Sequence, residues 1–582
     1  MKALRVLIAI GIGVALADAS IVTLALPELL VDLDTGVEGV AAVIGVYTLA
    51  LAIALPFAAW ARRLLPDPAL GALGFAVFAI AGAFCAASDT LASMLAFRAL
   101  QALGASVALV AGFGLLGGGR VWIAAAVFGT AVGPALGGAL TQAFDWRAIF
   151  AFQVPVAIAA AVAAAAWAVF PRRTDATATP PEGERAGGLW AGTEHAAEPA
   201  AARAEEARVT RADAAVVFGR PGAWVALAAL SAALTGVLFL LVLLLVSGWS
   251  LDPLTAALAV SVLPVAAVAG ERIPGAAATR ASAGCALVGG GVLGLALLPA
   301  AEVVWIILPQ ILAGAGMGMA LPALAGELLP EHTPGQAARL LSFRHAGITI
   351  ALLILAPIAA GQLDSTVDDV REQGAALVLD ARLPPLDKLE LAGPLVADLD
   401  PTDARDGLRR ALDAQAHRFA DDAEDKAAYA ELTERTDDVL VSAIDDAFAT
   451  AFLITGALAL LGAVAVLPRR PRALAVTGAV AAAALAVPLF HAIVRPQVAP
   501  EPVVIADPCQ DRALPDTGGI QGFLQDRALE LLDGAACRFG SSREALVLAL
   551  SDEGDARAYQ AKYGVDPRST RGILEGVGIN LP

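Results

Sequence analysis

G-T-A-V-G-P-A-L-G-G-A-L-T-Q-A-F-D-W-R-A-I-F-A-F-Q-V-P, residues 129–155, decides how this chain is read. An apolar helix carries Gly129, Gly133, Pro134, Gly137 and Gly138, a D-W-R turn follows, and a second apolar helix begins. Glycines four apart share one helix face, and small residues on such a face let another helix approach closely in lipid. Pro134 removes a backbone donor and kinks the helix near its middle. A kinked, small-faced membrane helix is a pivot candidate; a packing face alone is the plainer reading of the same spacing.

Working outward, apolar runs dominate. Apolar residues make up 58% of the 582, charged residues 16%, and the mean hydropathy is +0.71. Many stretches exceed the roughly 18 uncharged apolar residues that mark a spanning helix. Strands of a membrane barrel would alternate in polarity, and these runs do not. The chain reads as an all-α polytopic membrane protein. A net charge of −17 speaks against nucleic-acid binding. Usage rich in Ala and Arg and poor in Lys points to a high-GC bacterial genome.

Apolar runs fall at 4–30, 39–61, 69–87, 91–116, 121–143 and 148–170, then at 223–246, 254–270, 281–299, 303–328, 335–360 and 448–467, with a last run at 473–494. Thirteen spans are expected, grouped six, six and one. Ala17-Asp18-Ala19 resembles a signal-peptide cleavage site, but the first run is long for such a signal and more spans follow at once. The expected domains are a six-helix block at 1–171, a linker at 172–221, a second block at 222–467 with a polar insert at 364–446, a thirteenth span at 468–495 and a C-terminal domain at 496–582.

Every second connection is basic: Lys2/Arg5, Arg62/Arg63, Arg120, Arg172/Arg173, Arg272/Arg280, Arg339 and Arg469/Arg470/Arg472. The alternate ones are acidic or neutral, with Arg147 the exception. Positive loops stay in the cytoplasm. This predicts a multi-pass plasma-membrane protein with a cytoplasmic N-terminus and linker, and with insert and tail outside. The insert holds about 22 acidic and about 9 basic residues, an acidity that attracts cations. Helical spacing recurs in Leu408–Phe419 and Tyr429–Leu440, predicting amphipathic helices that extend the flanking spans. In the tail, Cys509 and Cys537 are the available disulfide pair. A helix is expected near Phe523–Leu532, and a capping box Ser541-x-x-Glu544 opens another.

Ionisable groups inside apolar runs are expensive and point to function. Asp18 lies within the first run, Arg98 within the fourth, and Arg344 and His345 in the eleventh. A carboxylate switched between paired and unpaired states can couple to protons, and a static buried ion pair is the alternative. A lone His such as His345 bonds locally; His491 reads as structural or lipid-facing. No phosphate-binding loop and no metal-ligand spacing occurs, so no enzyme, cofactor or metal is expected and an ion gradient is the expected power source.

Several ordered motifs resemble the major facilitator superfamily, most closely its drug:proton antiporter branch usually drawn with fourteen spans. L-A-D-A-S-I-V-T-L-A-L-P at 16–27 is similar to that branch's helix-1 signature, with Thr23 where the branch has Asn. Y-T-L-A-L-A from Tyr47 fits the next helix, R-A-L-Q-A-L-G at 98–104 resembles R-x-x-Q-G-x-G, and the glycines of 129–138 match the antiporter motif. Trp146, Arg147, Ile149, Phe150, Gln153 and Pro155 continue it, with Gln153 replacing an expected Asn. Arg220-Pro221, Leu263-Pro264, the run at 309–318 and Ser342-Phe343-Arg344 carry the resemblance into the second half. It implies two six-helix bundles around a midplane cavity, alternating access, and export driven by proton entry with Asp18 and Arg98 as coupling residues. Gly133 and Pro134 would shape the helix that seals between the bundles.

The loop after the second span, A-W-A-R-R-L-L-P-D-P at 59–68, departs from the family's G-x-L-a-D-R-x-G-R-R, so its acidic–basic clasp is expected to be largely lost. Two central spans are also absent. The expected cavity is apolar, with Ser20, Thr23, Gln101, Thr130, Gln153, Ser261, Gln310 and Arg344 as its polar groups. Partners are a hydrophobic or amphiphilic small molecule, protons, membrane lipids and an extracytoplasmic protein. Two other readings stand beside export of drugs: export of a lipid or envelope precursor, and a scaffold or sensor that moves nothing.

Overall fold

The computed structural model describes residues 2–117, 120–169, 220–384, 387–388, 391, 404–420, 422–510 and 519–576. The linker at 172–219 lies outside these, as do the surroundings of Gly129, Thr130 and Arg220. All regular structure among the described residues is helical.

The first half contains α1 (Lys2–Thr23), α2 (Leu26–Asp32), α3 (Val37–Ala61), α4 (Asp67–Ala86), α5 (Leu91–Leu116), α6 (Arg120–Ala143) and α7 (Arg147–Val169). The second contains α8 (Arg220–Leu243), α9 (Pro253–Val260), α10 (Val262–Glu271), α11 (Ala277–Leu295), α12 (Val303–Leu328), α13 (Pro334–Asp380), α14 (Ala404–Gln415) and α15 (Ala423–Ala465). Then come α16 (Pro471–Val498) and four tail helices, α17 (Gly519–Phe539), α18 (Arg543–Ser551), α19 (Glu553–Tyr563) and α20 (Thr570–Gly576). Short connections make successive long helices antiparallel. The face where α1 begins is called the near face below, and its opposite the far face.

Eleven helices among the described residues are long and apolar enough to cross a membrane, against thirteen expected. The two remaining are α6 and α11. Part of α6 lies outside the described side chains, and α11 carries Thr279, Arg280, Ser282 and five glycines, which hold its hydropathy down. Both still pack tightly in their halves, α6 on α1 and α11 on α12.

Two expected continuous runs are broken. The first ends at Thr23, and the separate α2 starts at Leu26 with Pro27 in its first turn. The run 254–270 breaks at Ser261, because Pro264 has no N–H for the carbonyl of Val260. Two others are longer than a bilayer needs: α13 has 47 residues and α15 has 43. At 1.5 Å per residue, α13 is about 70 Å long, more than twice the hydrocarbon thickness. Tyr429–Leu440 falls within α15, and α14 packs on it through Arg405, whose guanidinium forks onto Asp437 at 2.9 and 2.7 Å.

The tail helices dock on the end of α13. Arg371 donates to both oxygens of Asp555 (2.9 and 2.8 Å), and Arg543, fully buried, donates to Asp380 at 2.8 Å. Cys509 and Cys537 are bridged, with S–S 2.04 Å. The cap of α18 is Ser542, which accepts from Ala545 N, and not Ser541. Ser541 instead bonds the Tyr559 hydroxyl at 2.5 Å, and Glu544 is buried against Arg543.

A clasp also survives in the loop after α3. Arg62 donates to both oxygens of Asp67, and both side chains lie over Gly114 of α5, where a Cβ would meet Asp67 Oδ2 at 2.0 Å. The charges have moved along the loop, and an acidic–basic pair remains. On the far face Arg147, the basic exception, bonds Asp32 (3.0 Å) and Asp89 (3.1 Å). Two carboxylates thus offset its charge.

Candidate functional site

Asp18 lies on the inward stripe of α1 with Ala15, Leu16, Ile21 and Val22, so helical periodicity alone drives its carboxylate into the first half. Arg98 on α5 faces it. Arg98 Nη1 and Nη2 donate to Asp18 Oδ1 and Oδ2 at 2.9 and 2.6 Å, and both side chains are wholly buried. Arg98 Nη1 also donates to Gln101 Oε1 (2.7 Å), and Nε to the Val43 carbonyl (3.1 Å). Gln101 Nε2 donates to Gln153 Oε1 at 3.1 Å, and Gln153 Nε2 returns to Asp18 Oδ1 at 3.0 Å. Four side chains from α1, α5 and α7 therefore close a ring: Asp18, Arg98, Gln101, Gln153.

Two aromatic faces wall the guanidinium. Its carbon stands 4.3 Å from the Tyr47 ring centre and 5.4 Å from that of Phe150. Tyr47 is itself fixed by donating to the Ala15 carbonyl at 2.9 Å. Cation–π contacts of this kind gain weight when desolvated. An isolated charge here would cost several kcal/mol or more, so pairing and full hydrogen bonding are what make the burial tolerable. Chemically, adding a proton to Asp18 cancels the charge of the pair's acceptor, and Arg98 then keeps only the neutral oxygens of Gln101 and Val43. Gln153 in place of Asn supplies the length to touch both Asp18 and Gln101.

The glycine motif meets two different neighbours. A Cβ on Gly133 would lie 2.1 Å from Ser20 Oγ, and one on Gly137 2.3 Å from the Ile21 carbonyl, so this face presses α6 against α1. A Cβ on Gly138 would lie 2.4 Å from the Cβ of Ala257 and 2.8 Å from the Pro253 carbonyl, on α9 of the other half. Pro134 is buried between them within α6. A second bridge between halves is the hydroxyl pair Thr48–Thr349, 2.9 Å apart, from α3 and α13.

The remaining predicted residues do not join the ring. Ser20, Thr23 and Ser261 turn back on their own helices, to the carbonyls of Ala17, Ala19 and Ala257. Gln310 on α12 is wholly buried, and neither amide atom has a partner among the described residues. Arg344 is half-buried on α13, and its neighbour His345 bonds the Leu341 carbonyl at 2.7 Å. His491 on α16 is buried, not lipid-facing, and contacts the Gly294 carbonyl at 2.9 Å. The sequence reading missed Phe150 and Tyr47 as walls of the guanidinium, although both lie in quoted motifs; aromatic residues in apolar runs read as core. The Thr48–Thr349 bond joins residues 301 apart and leaves no local signal.

A family model described as Major Facilitator Superfamily matches residues 8–354. Among similar proteins, the "Riboflavin transporter RibZ" of Clostridioides difficile (strain 630) is 28% identical over 165 residues, 27% of this chain and 36% of that protein. The "Multidrug resistance protein Stp" of Mycobacterium tuberculosis is 30% identical over 166 residues, 26% of this chain and 31% of that one. The matches thus span about a third of the length of these relatives. Among solved structures, the inward-facing, unoccupied bacterial homolog of the human lysosomal transporter Spinster is 13% identical, covering 81% of this chain and 98% of that one at a TM-score of 0.48.

Proposed function

Since the chain belongs to the Major Facilitator Superfamily, whose members are secondary transporters and not enzymes, we propose that it exports hydrophobic or amphiphilic small molecules in exchange for protons. The observation that carries this reading is the closed ring of Asp18, Arg98, Gln101 and Gln153, a titratable carboxylate held by a permanent cation inside a spanning half. Protonation opens the ring at one bond set, which is the minimum a coupling device requires. The α6 glycines then serve as the sliding seal, Gly133 and Gly137 against α1 and Gly138 against α9. A distant relative named for multidrug resistance supports a lipophilic cargo, and one named for riboflavin supports a flat aromatic one.

In this reading the near face is cytoplasmic, following the basic loops, and the insert and the disulfide-bridged tail are extracytoplasmic. The domain limits are those read from the sequence: blocks at 1–171 and 222–467, a linker at 172–221, an added span at 468–495 and a tail domain at 496–582. Gln310 and Arg344 line the cavity from the second half.

The deciding experiment reconstitutes the full chain in vesicles with a trapped pH dye. Adding a lipophilic cation to wild type should move protons, and Asp18→Asn should abolish that movement. Undiminished substrate-driven proton flux in Asp18→Asn sinks the assignment. A second reading, export of a lipid or envelope precursor, draws on the docking of the tail helices to the projecting end of α13. Lipid that co-purifies with wild type and is lost on deleting 499–582 would favour it.

A further inference from the structure

Charges gather at the ends of the apolar runs. Away from those ends the runs hold one carboxylate, Asp18, and two guanidiniums, Arg98 and Arg344. Asp18 is taken up by Arg98 within the ring. The histidines of these runs, His345 and His491, each bond a backbone carbonyl. In the second half, Asp252, Glu271, Glu302 and Glu327 all stand at helix ends. With Asp18 paired, the excess charge of the spanning interior is positive and sits on Arg344.

Helical periodicity puts Arg344 on the inward stripe of α13. Leu340, Leu341 and Ile348 beside it are buried. Phe343, Ile350 and Leu353, with Arg339, form the exposed stripe on another side. Between its buried neighbours Arg344 keeps part of its own surface accessible. It has no hydrogen bond and no ion pair among the described residues. The backbone that carries it is held from α8. The Phe343 ring lies 4.8 Å from that of Trp224, and a Cβ on Gly347 would meet the Ala228 carbonyl at 2.2 Å. Arg344 is therefore a fixed cation without a counter-ion, and a half-buried charge of this kind is costly until an anion joins it.

We infer, on the reading above that Arg344 lines the transport cavity, that it is the cavity's anion-binding point and that the chain takes amphiphiles bearing an oxyanion, a carboxylate, sulfonate or phosphate. A guanidinium presents a planar fork that meets two oxygens of such a group at once. A point charge on a flexible stem does not supply that geometry. The apolar remainder of the molecule lies against the apolar walls. An oxyanion thereby adds affinity to an apolar body, and exchange against protons stays with the Asp18 ring, which shares no residue with this point.

Equilibrium dialysis of the purified full chain in neutral-detergent micelles, with no gradient and empty micelles subtracted, tests it. The probes are anilinonaphthalene sulfonate and its uncharged parent, phenylnaphthylamine, alike in body and differing by the sulfonate. Wild type should bind both, and the sulfonate more tightly. Arg344→Gln should weaken the sulfonate at least about tenfold and leave the uncharged parent within about twofold. Arg344→Lys keeps the charge, loses the fork and should recover part of the loss. Inorganic sulfate at the probe's concentration should not displace it. Without probe, Arg344→Gln should unfold at or above the wild-type temperature, because it removes an unpaired charge. Wild-type affinity for the sulfonate in Arg344→Gln, equal weakening of both probes, or displacement by sulfate overturns the inference and leaves the cavity standing. A wild type that binds neither probe removes the cavity, and the inference with it. Because no proton flux is read, neither result touches the coupling role of Asp18.

Discussion

Gly138 of α6 touches Ala257 of α9 so closely that any side chain at 138 would have to force the two halves apart at the far face. The contact is specific to one side of α6, because Gly137, one residue earlier, meets the Ile21 carbonyl of α1 instead. Replacing Gly138 by Leu should therefore open the far face and leave the α1–α6 packing in place. Spin labels at two exposed far-face positions, Phe144→Cys and Leu254→Cys, should move apart by several ångströms in pulsed EPR. An unchanged distance refutes the wedge. Gly137→Ala should instead lower thermal stability, by about 1–3 kcal/mol for overpacking.

Removing one member of the buried pair should cost more than removing both. Asp18→Asn leaves the Arg98 guanidinium buried without a counter-ion, a loss of about 3–5 kcal/mol. Asp18→Asn combined with Arg98→Gln removes the stranded charge and should recover part of that loss. Thermal unfolding of the three proteins in detergent checks the order, and a double variant less stable than Asp18→Asn contradicts it.

Gln310 predicts the opposite sign. Both of its amide atoms are buried without partners among the described residues. Gln310→Leu keeps the volume and drops the unpaired polar groups, so stability should rise by about 1–3 kcal/mol. If the residue also lines the transport cavity, the same variant loses transport while gaining stability. A lowered unfolding temperature would mean that Gln310 is satisfied in the folded state.

The tail should respond to reductant alone. Cys509 and Cys537 are 28 residues apart, and closing a loop of that length is worth about 3–4 kcal/mol in the chain-entropy model. Cys537→Ser should make 499–582 sensitive to limited proteolysis and leave α1–α16 resistant. Equal resistance of the tail in both proteins would show that its contacts with α13 suffice.

Lys388 should give the insert a pH dependence. Burial pushes its ammonium from 10.5 down to about 8, although Asp380 pulls the other way, and its Nζ donates to the Leu379 carbonyl at 2.9 Å. Between about pH 8 and 10.5 the unfolded chain holds a proton that the folded one has released, so stability rises with pH across that window. Corrected hydrogen-exchange protection around 375–388 should increase from pH 8 to 10 in wild type and stay flat in Lys388→Met.

Most spanning helices were legible because lipid demands long apolar runs, and Asp18 and Arg98 stood out by interrupting them. Gln153 was legible as the wrong amide in a known pattern, and only the structure showed that its extra length closes the ring. The cap of α18 lies one residue later than expected, because only Ser541 has a glutamate three positions on, while the serine that caps, Ser542, has Ala545 there. Tyr559, eighteen positions on, decides between them. The breaks at Thr23 and Ser261 were hidden inside continuous hydropathy. The surviving Arg62–Asp67 clasp was missed because its charges sit in other registers of the loop.

The length of α13 has a mechanical consequence. Thr349 sits where the halves touch, and Asp380, at the same helix's end, holds the tail through Arg543. These points are 31 residues apart on α13, or about 46 Å along its axis. A tilt of about 10° at the inner point would sweep the outer one through about 8 Å. The helix is a lever with its short arm in the membrane, and the tail rides on the long arm as a pointer whose swing magnifies the movement of the core.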